Sequence, residues 1–192
     1  MDGEVAGAHT FQILPGTQPA DAAPRPRPLT SAEIYKRAGD ASVFIDRVDA
    51  QGGKMGRGSG FFAGDGIVVT AFQVIDGAVG LEVTLPNGQT VNAGSVLAWN
   101  RRQDWAVLEI TAPSAPHLER AGTNAIVVGD RVFLLDSPNT GGRTLAETEI
   151  VGTQEYAAAG RRLTVSYAPS KAAIGGPLLN EYGRTEMWFS PG

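Results

Sequence analysis

An all-β fold is what this chain predicts, and three features predict it. Its 192 residues include 25 glycines, which punctuate short runs rich in Val, Ile, Thr and Leu. Those runs lie on both sides of a Pro-rich break, Ala112-Pro113-Ser114-Ala115-Pro116-His117, with about six runs on each side, enough to close a small barrel. Two six-stranded antiparallel β-barrels with a short N-terminal helix are therefore expected. Spacing alone also allows a sandwich.

The chain opens with an Ala/Pro-rich stretch, residues 1–29, ending in Ala23-Pro24-Arg25-Pro26-Arg27-Pro28. It has too little apolar surface to offset ordering entropy and reads as a tail or linker. Thr30-Ser31-Ala32-Glu33 then has capping-box spacing, and Gly39 offers a stop to the helix that follows. Ser42–Val48 is the first strand, with Gly52-Gly53 as its turn. Gly58–Ala63 and Gly66–Thr70 are joined through Gly64-Asp65-Gly66, a hairpin signal. Ala71–Ala78 reads as a turn of helix. Leu81–Leu85 and Thr90–Ala93 flank Pro86-Asn87-Gly88-Gln89, a second hairpin, and Ser95–Trp99 and Trp105–Ile110 complete the first barrel, about residues 40–112.

A second barrel, about residues 123–192, is expected from Ala125–Val128, Arg131–Leu135, Thr144–Val151, Arg162–Tyr167, Pro177–Leu179 and Arg184–Phe189. The length suits one sizeable core or two small ones packed together.

Composition excludes several functions. A formal net charge of -4 provides no electrostatic footprint for nucleic acid. The absence of cysteine removes disulfides and thiolate metal sites, and with two histidines no metal or other cofactor is expected. No stretch is long and apolar enough for membrane insertion. No secretory signal follows Met1. The compartment is left open, extracytoplasmic if Met1 begins a processed form and cytoplasmic otherwise.

The most informative stretch is Lys171-Ala172-Ala173-Ile174-Gly175-Gly176-Pro177-Leu178-Leu179-Asn180, a tight glycine turn feeding an apolar strand. Together with Gly58-Ser59-Gly60-Phe61-Phe62, Ile67–Ala78, Asp104-Trp105-Ala106-Val107-Leu108-Glu109-Ile110, Val132–Pro138 and Glu149–Gly152, it resembles the trypsin-like, chymotrypsin-fold serine proteases, most closely the bacterial HtrA or Do-like branch. The resemblance covers about residues 40 to 190 in the right order.

That resemblance places the catalytic triad at Gln73 for the histidine, Asp104 for the aspartate and Ile174 for the serine. An isoleucine has no lone pair for nucleophilic attack. A glutamine amide does not titrate near neutral pH, so it cannot take and return a proton. The two oxyanion-hole N–H groups fall on Ala172 and Ile174, and alanine lacks the backbone freedom of the glycine expected at its place. His9 in the tail and His117 in the crossover lie outside these segments, and Ser170 precedes the turn.

The expectation is a catalytically inactive homologue, a pseudoprotease, that binds a protein or extended peptide in its former cleft by strand addition. Ser170, Lys171 and Trp188 are candidate groove residues, and Trp188 either completes the second core or plugs the specificity pocket. The alternatives are an active endopeptidase with misassigned or partner-supplied catalytic residues, and an architectural domain with a closed cleft. Oligomeric state is not legible.

Overall fold

The computed structural model describes residues 27–111, 115–121, 127–137, 142–157 and 160–188, with 160–161 and 186–188 as backbone. The expected tail, 1–29, lies outside them up to residue 26.

Helix α1, Ser31–Ala41, begins with the expected capping box. The Thr30 hydroxyl accepts from the Glu33 N–H at 3.3 Å, and the Glu33 carboxylate accepts from the Thr30 N–H at 2.8 Å. Hydrogen bonds from Arg27 and then Thr30 hold the Glu33 pKa down to about 2. Thr30→Ala is expected to cost about 1 kcal/mol, the usual value of an N-cap, measurable as a lower urea midpoint.

The helix does not stop at Gly39. The φ of Gly39 is not positive, so the glycine makes no left-handed helix stop. Ala38 and Ala41 are both buried, and this packing carries the helix on to Ala41, directly into β1.

The first barrel consists of β1 (Ser42–Val48), β2 (Lys54–Gly64), β3 (Ile67–Thr70), β4 (Gly80–Thr84), β5 (Thr90–Asn100) and β6 (Trp105–Ile110). Their order, β1-β2-β3-β6-β5-β4, closes on itself because β1 pairs with both β2 and β4. The two expected strands Thr90–Ala93 and Ser95–Trp99 are one continuous strand. It absorbs the break as bulges at Ala93/Ser95 and Val96/Ala98, which bend a strand without ending its pairing.

The second unit has β7 (Arg131–Asp136), β8 (Thr144–Tyr156), β9 (Gly160–Val165), β10 (Pro177–Leu179) and β11 (Thr185–Trp188), in the order β11-β10-β7-β8-β9. Among the described residues it is a five-stranded sheet. Residues 122–126 are not described, so the start of the expected strand Ala125–Val128 lies outside; Val127 and Val128 themselves are exposed turn residues. The crossover supplies a sixth contact instead. Thr185 donates to the Glu119 carbonyl and Ala121 to the Thr185 carbonyl, each at 2.9 Å, a parallel bridge along the outer edge of β11.

Period-two alternation sorts the side chains into three cores. Phe62 on β2 points into the first barrel with Ile45, Val68 and Leu108. Its neighbour Phe61 points the other way, into a seam cluster with Phe133, Leu135 and Leu179 of the second sheet. Val132 and Leu134 of β7 face a third cluster with Ile150 and Leu178. The unbroken apolar run Val132-Phe133-Leu134-Leu135 therefore reflects a strand buried on both faces. Helix α1 covers the seam with Ile34, Ala38 and Ala41.

Candidate functional site

The three positions that the sequence singles out lie on turns at strand ends, where side chains escape the ladder. Gln73 sits in the 3₁₀ turn Phe72–Val74 that follows β3. Asp104 closes the turn between β5 and β6. Its φ of 54° is a left-handed conformation that aspartate tolerates better than most residues.

The structure brings these two together. Asp104 accepts from the Gln73 backbone N–H at 2.9 Å and from Gln73 Nε2 at 2.7 Å. The carboxylate thus orients an amide as it would orient an imidazole, but the oriented group does not titrate near neutral pH and cannot relay a proton.

Beside Gln73, the Phe72 ring stacks on Trp99 with centroids 5.1 Å apart, and the Arg101 guanidinium lies 5.5 Å above Phe72. Trp99 is 58% exposed. Arg101 is held in place by an ion pair to Asp76 at 2.9 Å.

Ile174 follows the 3₁₀ turn Lys171–Ala173. Its side chain is half-buried and packs against the first-barrel cluster that includes Val74, the residue after Gln73. Its N–H donates to the Lys171 carbonyl at 3.3 Å. One of the two expected oxyanion donors therefore faces an acceptor of the chain itself.

The loop is latched to the first barrel through Ser59. The Ser59 N–H donates to the Ile174 carbonyl at 2.7 Å, and the Ser59 hydroxyl to the Ala172 carbonyl at 2.6 Å. Thr70 Oγ1 in turn donates to the Ser59 carbonyl at 2.6 Å. The Ala172 carbonyl is thus fixed by a side chain of the opposite unit.

On its other side the loop is anchored by Asp136, the last residue of β7. Asp136 is 2% exposed. It accepts from the Ser137 N–H at 2.6 Å, the Tyr167 hydroxyl at 2.8 Å, the Ser170 N–H at 3.0 Å and the Ser170 hydroxyl in a short bond. Burial pushes its pKa up, but the hydrogen bonds, led by those from Ser170, outweigh burial and leave it below the ordinary carboxylate value.

Ser170 is thereby committed to an aspartate and not to Ile174. Lys171 is exposed. Trp188 stands on β11 opposite Pro177, and its side chain lies outside the described residues. His117 lines a groove of about 450 Å³ between α1 and the crossover, with Glu33, Lys36 and Glu119, away from the Ile174 turn.

Sequence reasoning missed Asp136, Tyr167 and Ser59. A carboxylate ending a four-residue apolar run was the available signal for the first, because such a group is drawn into the interior and needs donors. Among the described residues no three His, Cys, Asp or Glu groups are placed to hold a metal ion, and no helix is long and apolar enough to cross a membrane.

Residues 58–185 match the family model of the trypsin-like peptidase domain. The chain is 36% identical over 139 residues to the chloroplastic protease Do-like 1 of Arabidopsis thaliana, covering 67% of this chain and 31% of that protein. It is 20% identical over 174 residues to the anti-sigma-I factor RsgI9 of Acetivibrio thermocellus, covering 90% of this chain and 24% of that protein. The chain thus spans about a quarter to a third of the length of these relatives. The fold superposes on a serine endoprotease from Yersinia pestis with a TM-score of 0.71 at 24% identity, over 83% of this chain and 56% of that one. Motif order, barrel topology and these matches converge: the chain belongs to the trypsin-like serine peptidase family, among the HtrA/Do-like proteins.

Proposed function

We propose that this domain does not hydrolyse peptide bonds and serves as a protein- or peptide-binding module. The observation that carries the reading is the pair Gln73–Asp104: the carboxylate accepts at 2.7 Å from an amide, and Gln73, at the position the family resemblance gives to the histidine, cannot act as a base. Ile174 in that place, with its N–H turned to the Lys171 carbonyl, supports the same conclusion from the other unit. A relative named as an anti-sigma factor, matched over 90% of this chain, supports a role in binding. The exposed Trp99 beside Gln73 offers the partner an aromatic surface, and β9, which has no second neighbour in the described sheet, offers an edge for an added strand.

The test is incubation with a fluorophosphonate serine-hydrolase probe and, in parallel, with unfolded casein. No labelling and no cleavage are expected, with casein retained by the immobilised domain. Ile174→Ser alone is expected to stay unlabelled, because Gln73 cannot deprotonate the new hydroxyl. Labelling of the wild-type chain would return it to the active hydrolases.

A second reading, an architectural domain with a closed cleft, is favoured by the packing of Ile174 against the first-barrel cluster. It predicts that casein is neither cleaved nor retained.

A further inference from the structure

A small, partly open pocket of about 10 Å³ lies in the seam between the two units. Its walls include Ser42, Ser59, Asp136, Ser137 and Arg143. Ser42 is 3% exposed, and its hydroxyl has no hydrogen-bond partner in the protein. A buried hydroxyl left without a partner costs about 1–3 kcal/mol, so native structures rarely keep one.

Arg143, half-buried beside it, has donors to offer. Its guanidinium lies 4.5 Å from the Phe44 ring centroid and donates to the Gly39 and Ser42 carbonyls, each at 3.0 Å. Those bonds use two of the five N–H groups that a guanidinium carries.

We infer that this cavity is a binding site for one structural water, which joins the Ser42 hydroxyl to the Arg143 guanidinium across the seam. The volume is about that of a single water-sized sphere. The wall chemistry decides against an ion: the Asp136 carboxylate repels an anion and the guanidinium repels a cation, leaving a neutral guest with both donors and acceptors.

The water accepts from Arg143 and bonds Ser42 Oγ. Its remaining proton finds a lone pair on Ser59 Oγ or Ser137 Oγ, whose own protons go to the Ala172 and Gly142 carbonyls. Because Ser59 also holds the turn before Ile174, the water belongs to the hydrogen-bonded frame that sets the two units against each other. The inference is independent of whether the domain cleaves, binds or only supports.

Two measurements on the intact chain test it. A high-resolution crystal structure is expected to show one ordered water within hydrogen-bond reach of Ser42 Oγ and Arg143; a dry cavity overturns the inference. The sign of Ser42→Ala gives the second test. With the water present, the substitution removes one of its partners, and the folding equilibrium constant is expected to fall about fivefold. In a dry cavity the same substitution removes an unpaired buried hydroxyl, so an unchanged or increased constant overturns the inference.

Discussion

Asp136→Ala is expected to destabilise the domain by about 2–3 kcal/mol, because it leaves four part-buried donors without their common acceptor. Four donors converge on this one carboxylate, from Ser137, Tyr167 and Ser170. Asp136→Asn keeps the shape but turns an NH₂ group toward donors, so it should recover only part of the loss. The read-out is the urea midpoint at constant slope.

The same residue predicts an acid limb. Its pKa in the folded chain lies below the ordinary value, so folding favours the ionised form. The stability it contributes is fully present above the unfolded-state value of about 3.9 and is lost as pH falls through the folded value. Asp46 adds to this limb: hydrogen bonds from Arg57 at 2.7 Å and from Lys54 at 2.8 Å outweigh burial and depress its pKa as well. Wild-type stability should therefore drop below about pH 4, and Asp136→Asn should flatten that limb. An unaltered acid limb in the variant would assign it to other carboxylates.

Gly175→Ala is expected to cost about 3 kcal/mol or more, combining backbone strain with overpacking. A Cβ at Gly175 would lie 2.3 Å from both the Ser59 carbonyl oxygen and Thr70 Oγ1, and 2.9 Å from the Ala71 nitrogen, at a φ of +87°. None of these atoms is free to yield, since Thr70 Oγ1 is bonded to the Ser59 carbonyl. For a domain of this size the loss corresponds to a fall in Tm of about 6–12 °C. Gly77→Ala is the control. Its φ is +75° with nothing within 4 Å, so it should pay only the left-handed backbone cost of about 1–2 kcal/mol. Equal effects at the two glycines would show that conformation, and not the close approach of the two units, governs the Ile174 turn.

Much of this architecture was legible without coordinates. Short runs rich in Val, Ile, Thr and Leu between turn signals marked nearly every strand of the first barrel, Pro86-Asn87-Gly88-Gln89 marked a hairpin, and Thr30 with Glu33 marked the start of α1. The two glycines after Ile174 marked the turn on which the family's chemistry depends. These signals are short-range: side-chain period, turn chemistry and capping act between residues a few positions apart. The chemical identities of Gln73 and Ile174 were equally legible, because what an amide or an alkyl group lacks does not depend on its surroundings.

Other features were decided only in three dimensions. Helix α1 passes Gly39 because Ala38 and Ala41 find the seam. Thr90–Ala93 and Ser95–Trp99 merge because β6 pairs with both across two bulges. The outer edge of β11 is bridged by the crossover, at Arg120.

The site shows the same division. That Gln73 is bonded to Asp104, 31 residues away, and that Asp136 anchors Ser170, 34 residues away, follows from how closed strands bring distant turns together. By itself the sequence determined the strands, the turns and the chemical groups at each position. Which of those groups meet was left to the folding of each β unit and to the packing of one against the other, because a hydrogen bond between distant residues forms only after the neighbours of both are already in place.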